Sequence, residues 1–134
     1  MSNYEDFYYN DALYCQLYID VEFHKHARGE VIDLLVKLID GKRLSNDEYL
    51  TDFGRIQVSY NDYYNDYYSK WRKMFRGNFL YFKFFLEIDP LPELPRDEYI
   101  LGMKKLIDQL KAKGIRVVPT CAFEDELGIL WREV

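Results

Sequence analysis

The sequence lacks any apolar run near the roughly 18 residues that a membrane-spanning helix needs. Its first residues, Met1 to Asp6, contain neither the basic region nor the apolar stretch of a secretory signal. Cysteine is scarce, because only Cys15 and Cys121 occur, far apart and without the spacing of a zinc or redox motif. These absences predict a cytoplasmic protein with no membrane partner.

An excess of basic residues is also missing. The formal net charge is -5, which argues against general polyanion binding, because such binding depends on Lys and Arg that neutralise phosphates. No glycine-rich phosphate loop occurs, and no serine lies in a nucleophile-elbow motif. We therefore predict that the protein has no cofactor, and we favour a non-catalytic protein. We also expect that its partner is not a nucleic acid.

Aromatic residues are abundant instead. The 134 residues include 13 Tyr, 9 Phe and 2 Trp, which together make 18% of the chain. This is more ring surface than a core of that size needs, so some rings are expected on a working surface. The length suits a single domain with one core.

Composition divides the chain into a tail and one domain. Residues 1–12 carry four rings and three carboxylates but no basic residue, and we predict a mobile acidic tail there. Residues 13–134 are predicted to form a single α+β domain. Within it, a Tyr-rich insertion at 61–78 repeats Asn-Asp-Tyr-Tyr before four basic residues. Its ring spacing favours a short helix and its Asn-Asp pairs favour turns, so both conformations remain open.

Hydrophobic periodicity predicts the order of the elements. Apolar residues alternate with polar ones in four predicted strands, at 15–23, 55–60, 80–89 and 115–122. Steps of three and four residues predict two helices, one that ends before Gly41 and one that runs from Pro95 to Gly114. Residues 45–48 are predicted to cap a single helical turn.

The order strand, helix, strand, strand, helix, strand is the split pattern of ferredoxin-like βαββαβ sandwiches. We predict a four-stranded antiparallel sheet with two helices on one face and with the first strand between the third and the fourth. By parity, Phe84 then faces the helices and Phe85 faces away. Cys15 and Cys121 share one end of the helix-covered face, as two inert buried thiols or, alternatively, as a redox pair.

The helix-free face of this sheet carries rings and carboxylates. Rings on the same strands stack bases in RNA-recognition domains, but that family's glycine- and aromatic-rich signature is missing here, and the carboxylates would repel phosphate. We therefore predict a protein-binding surface. Together with two tyrosines of the insertion, its residues are Tyr18, Asp20, Glu22, Tyr81, Lys83, Phe85, Glu87, Tyr64 and Tyr68.

A metal site is the weaker candidate. His24 and His26 lie at the junction of the first strand and the first helix, and Glu22 could join them as a third ligand. A metal site needs three or four converging ligands, and two surface histidines rarely supply them. We therefore predict no metal site.

Three segments between residues 84 and 127 resemble the C-terminal half of a group of small bacterial proteins without assigned activity. They are FFLEIDP at 84–90, RDEYI at 96–100 and VVPTCAFEDEL at 117–127. In size, acidity and ring content, the whole chain is also similar to immunity proteins of bacterial polymorphic toxins and contact-dependent inhibition systems. That similarity implies a cytoplasmic protein that neutralises a toxin, often a basic nuclease, by covering its active site.

Two functional hypotheses follow from these observations. The first is a non-catalytic, immunity-type module that binds a basic toxin or another basic protein. The alternative is a small-ligand-binding or enzymatic domain of the dimeric ferredoxin-like kind. Its mostly apolar pocket would be enclosed either by the helix-free faces of a homodimer or by the 61–78 segment over one such face.

Overall fold

Six strands and two α-helices occur in the described part of the chain, which in this computed structural model comprises residues 13–24, 26–61 and 82–127. In chain order the elements are β1 (Cys15–Ile19), α1 (Arg28–Leu38), β2 (Gly41–Arg43), β3 (Glu48–Thr51), β4 (Gly54–Tyr60), β5 (Phe84–Pro90), α2 (Arg96–Ala112), β6 (Val117–Thr120) and a 3-10 helix (Glu124–Leu127). The predicted tail and, apart from Asn61, the predicted insertion lie outside the described residues.

The strands form one antiparallel sheet in the order β2-β3-β4-β5-β1-β6. The predicted α+β class is therefore confirmed, and β1 lies between β5 and β6 as expected. The predicted count of four strands is wrong, because β2 and β3 extend the described sheet to six.

The hairpin of β2 and β3 replaces the predicted helical turn at 45–48. The turn is closed by the Leu44 amide, which donates to the Glu48 carbonyl over 2.9 Å, and the Ser45 hydroxyl donates to the Asp47 carboxylate over 2.8 Å. Ser, Asn and Asp form such local bonds in turns as readily as at helix starts. The polar residues at 45–48 are therefore compatible with both a helix start and a hairpin turn.

Two glycines were predicted to stop helices, and only one of them does. Gly114 follows α2 with a φ of 80°, which L side chains rarely adopt, so that prediction is confirmed. By contrast, α1 ends at Leu38 and Gly41 begins β2. A Cβ at Gly41 would lie 2.5 Å from the Leu50 carbonyl oxygen, so glycine is needed there for the close approach of β2 to β3.

Both helices pack on the same face of the sheet, as predicted. Their apolar residues join those of the strands in one buried cluster, and no helix among the described residues has the length and apolar character needed to cross a membrane. The cluster includes Leu17, Ile19, Val31, Ile32, Leu35, Ile56, Val58, Phe84, Leu86, Ile88, Tyr99, Met103, Leu106, Ile107 and Leu110.

Alternation in β5 separates the two faces of the sheet. Phe84, Leu86 and Ile88 are fully buried under the helices, whereas Phe85 and Glu87 are half-buried on the opposite face, so the predicted parity is confirmed. The predicted strand extended back to residue 80 and placed Phe82 under the helices. That placement is wrong, because β5 begins only at Phe84 and Phe82 packs on the other face.

Gly102 provides a test of how closely α2 packs on the rest of the core. A Cβ there would lie 2.4 Å from a ring carbon of Phe53. Although alanine is about 1 kcal/mol better than glycine inside a helix, relieving this overlap costs roughly 1–3 kcal/mol. We expect Gly102→Ala to lower the free energy of unfolding by about 1 kcal/mol in denaturant titrations. In the control Gly29→Ala, in α1, the new Cβ comes closest to the flexible end of the Arg43 side chain, at 3.1 Å, and makes only ordinary contacts with Asn46, so it should not destabilise. Stabilisation by Gly102→Ala would contradict the close packing.

The two faces of β5 predict unequal costs for neighbouring truncations. Phe84→Ala opens a cavity in the main core and should cost about 3–5 kcal/mol of unfolding free energy. Phe85→Ala removes a half-buried ring on the other face and should cost at least about 1 kcal/mol less, because less apolar area is lost. Denaturant unfolding of both variants measures the difference. A larger loss for Phe85→Ala would show that the faces are assigned in reverse.

Candidate functional site

The candidate site is the face of the sheet opposite the helices, which we call the outer face. Register places Phe85 between Tyr18 of β1 and Ser59 of β4, and Glu87 between Gln16 and Gln57. Around its centre, the outer face therefore has two rows of side chains that run across the strands. The apolar row contains Phe85, Tyr18 and Val118, and the polar row contains Glu87 and its glutamine neighbours. Its central residues are Gln16, Tyr18, Gln57, Ser59, Phe85, Glu87, Val118 and Thr120.

The apolar row forms a second, smaller core. The rings of Tyr18 and Phe85 stack with centroids 5.1 Å apart, and Phe82 and Val118 pack with them. The guanidinium carbon of Arg116 lies 5.0 Å from the centre of the Phe82 ring. Tyr18 lies on the helix-free face as predicted, but it is only 8% exposed and Phe82 only 2%. Phe85 is the half-buried ring of this row.

Two of the carboxylates predicted for partner binding already have cations beside them. Arg116 contacts Asp20 at 3.0 Å, and the Lys83 ammonium lies 3.8 Å from Glu22. The first pair was not predictable from local sequence, because Asp20 and Arg116 become adjacent only when β6 pairs with β1. Asp20, Glu22 and Lys83 therefore form ion pairs within the chain at the border of the outer face.

Glu87 is held differently, by neutral hydroxyl groups. The Tyr14 hydroxyl donates to one carboxylate oxygen over 2.6 Å and the Ser59 hydroxyl donates to the other over 2.8 Å. The Gln16 amide in turn donates to the Tyr14 oxygen over 3.3 Å. Among the residues that the structure describes, no cation forms a salt bridge with Glu87. A half-buried, uncompensated carboxylate thus lies near the middle of the outer face.

Tyr14 is the residue of this site that sequence analysis missed. It lies one position before β1, on the same parity as Gln16 and Tyr18, so continuing the alternation by one residue would have found it. Burial and the hydrogen bond to Glu87 raise the pKa of Tyr14 well above its ordinary value. Tyr14 therefore remains a neutral donor to the carboxylate at physiological pH.

A second concave region lies at the beginning of α1. It is a cleft of about 700 Å³. Arg43 contacts Asp33 at 2.5 Å and Arg28 contacts Asp47 at 3.5 Å across its lining. Both are exposed ion pairs within the chain, and the exposed Glu30 lines the same cleft.

The histidines do not converge on a metal site. The His26 amide donates to Nδ1 of His24 over 3.2 Å, and Glu22 approaches Lys83 instead of the rings. In the described ranges, no three His, Cys, Asp or Glu residues are grouped closely enough to hold a metal ion.

The remaining predicted residues fall in two groups. Tyr64, Tyr68 and Tyr81 lie outside the described residues. Cys15 and Cys121 are free thiols packed at one end of the helix-covered face, as the strand parity predicted.

Comparisons of this chain with protein-family models, with curated proteins and with solved structures find no match. The geometry of the outer face is therefore what bears on function.

Tyr14 should make part of the stability depend on alkaline pH. Because its folded pKa is raised from the ordinary 10.0, its contribution is complete below pH 10 and is lost as pH rises towards the folded value. Between pH 10 and 11, wild type should lose about 0.5–1 kcal/mol more unfolding free energy than Tyr14→Phe, after allowance for its partial exposure. Denaturant titrations at both pH values measure this difference. Equal losses in the two proteins would show that Tyr14 ionises as readily in the fold as in the unfolded chain.

Proposed function

We propose that this protein is a non-catalytic binding module that holds a basic protein partner on its outer face, in the manner of an immunity protein that blocks a basic toxin. The carboxylate of Glu87 is the observation that carries the proposal. It is half-buried, it is fixed by Tyr14 and Ser59, and in the described residues it has no cation beside it.

The geometry of Glu87 suits a guanidinium or ammonium group from a partner. A carboxylate has about four lone-pair positions, and the two hydroxyl donors occupy two of them. The positions that remain can accept the two parallel bonds of an arginine, which are stronger than bonds between neutral groups. Because both oxygens are already oriented, the partner's cation binds without reorganisation of the site.

Phe85 adds apolar contact area beside this carboxylate. It lies two residues before Glu87 on the same face of β5, and its ring stacks with that of Tyr18 on the neighbouring strand. Interface anchors are typically large side chains near the centre of a contact, enclosed by polar residues. A cation bound to Glu87 also lies near the Phe85 ring, which favours positive charge over its face.

The charge of the whole chain supports the same kind of partner. A net charge of -5 attracts a basic protein over long range and accelerates association at low ionic strength. Binding to such a partner is therefore expected to weaken as salt is added.

Glu87→Gln tests the proposal, because glutamine keeps the shape and removes the charge. Candidate partners are purified basic proteins encoded beside the gene for this chain, and calorimetry over a range of salt concentrations measures their affinity. We expect Glu87→Gln to weaken binding at least about tenfold, within the range of interface hot spots, and to reduce the salt dependence. Phe85→Ala should weaken binding similarly.

The matched control is Glu93→Gln, which removes the same charge from an exposed loop after β5. It should bind like wild type. Equal affinity for Glu87→Gln and Glu93→Gln would contradict a site at Glu87. Failure to bind any basic protein, together with a homodimer whose melting temperature rises with a small metabolite, would favour the small-ligand alternative.

A further inference from the structure

The two cysteines lie at one end of the sheet, where β1 begins and β6 has just ended. Cys15 is the first residue of β1 and Cys121 directly follows β6. The antiparallel register pairs Gln16 with Thr120, so the next position along places Cys15 opposite Cys121. The two thiols also influence one another, because each shifts the pKa of the other.

The type of strand position decides whether such a pair can be bridged. Pro119 pairs with Leu17 and has no N–H to donate, so this is a non-hydrogen-bonded pair of the antiparallel ladder. Because the two kinds of pair alternate, Cys15 and Cys121, two residues along, also occupy a non-hydrogen-bonded position. The Cys121 amide accordingly donates to the Glu124 carboxylate, over 3.0 Å, and not to β1. Cα atoms at such positions are about 4.5 Å apart. That separation falls within the roughly 4.4–6.8 Å that a disulfide spans.

The two sulfurs have unequal surroundings. Cys15 is completely buried, whereas Cys121 is half-buried at the surface of the helix-covered side. The neighbouring Cys15 thiol lowers the pKa of Cys121, while burial and the Glu124 carboxylate oppose that shift. The Cys121 thiol, together with burial, raises the pKa of Cys15.

We propose that Cys121 and Cys15 form a peroxide-reactive pair, in which Cys121 is the attacking thiolate and Cys15 is the resolving thiol. A hydroperoxide is the oxidant. This activity is independent of partner binding on the outer face, because the two thiols lie on the opposite side of the sheet.

The chemistry proceeds in two balanced steps. The Cys121 thiolate attacks the terminal oxygen of the hydroperoxide, the O–O bond breaks, and the released alkoxide or hydroxide takes up a proton from water. Cys121 is thereby oxidised to a sulfenic acid, while the peroxide is reduced to an alcohol or to water. The Cys15 sulfur then attacks the Cys121 sulfur, the S–S bond forms, the S–O bond breaks, and the hydroxyl leaves as water with the proton of Cys15.

Hydrogen peroxide and the reduced full-length chain provide the test. We expect intact mass spectrometry to show the loss of two hydrogens per chain, and peptide mapping without reductant to join the peptides that contain Cys15 and Cys121. Dithiothreitol should reverse both changes. A disulfide between two chains, or two thiols that remain reduced after tyrosine-containing peptides have begun to oxidise, would overturn the proposal.

Variants assign the two roles. In Cys15→Ser, Cys121 should stop at the sulfenic acid, which dimedone traps as a covalent adduct. In Cys121→Ser, the remaining Cys15 should react with peroxide at least tenfold more slowly than wild type. Equal rates for Cys121→Ser and wild type, or no dimedone adduct in Cys15→Ser, would contradict the assignment.

A measurement on wild type keeps the test valid if a variant does not fold. Iodoacetamide at limiting concentration should alkylate Cys121 well before Cys15, as located by peptide mapping. Preferential alkylation of Cys15 would reverse the proposed roles.

Discussion

The antiparallel pairing of β1 with β5 is the contact on which the other elements depend. It joins residues far apart in sequence, from Cys15 opposite Ile88 to Ile19 opposite Phe84. Because side chains alternate along both strands, this single register assigns one set of residues to the main core and the other to the outer face. Helix α2 packs on these two strands and contacts both through Tyr99. The Tyr99 hydroxyl donates to the Leu13 carbonyl, just before β1, over 2.7 Å and lies 3.3 Å from the Ile88 carbonyl oxygen of β5.

The same register places a charged residue, Glu87, in the middle of the outer face. A carboxylate in the middle of a sheet loses part of its hydration, and that loss is costly unless hydrogen bonds replace it. Tyr14 and Ser59 supply two such bonds to Glu87 without cancelling its charge. The same strand pairing thus stabilises the fold and leaves a negative charge near the centre of the outer face, where the proposed basic partner would bind.

Where one face of a strand is buried, sequence periodicity was sufficient to assign its residues to the correct face of the sheet. The alternation in 84–88 correctly divided Phe84 from Phe85, and parity correctly brought Cys15 and Cys121 to one end of the core. Both inferences need only the two-residue repeat and the strand order. The α+β class followed from the same pattern.

Other features depend on contacts that a local pattern does not contain. The strand β2 is three exposed residues long, so it has no hydrophobic alternation, and its polar turn resembles a helix cap. The burial of Tyr18 depends on packing with Phe82, a residue whose parity was predicted incorrectly because β5 begins later than the apolar pattern does. The pairing of Asp20 with Arg116 likewise exists only once β6 lies beside β1.

Native-state hydrogen exchange of the full-length chain tests the central role of the β1–β5 pairing most directly. Amides that open only on global unfolding exchange slowest, whereas the outermost strands of a sheet open by local fluctuations. The hydrogen-bonded amides of β1 and β5 should exchange slowest, together with those of the α2 turn that contains Tyr99, and the amides of β2 should exchange fastest among the strands. Slower exchange in the β2–β3 hairpin than in β1 and β5 would contradict the central role of the β1–β5 pairing.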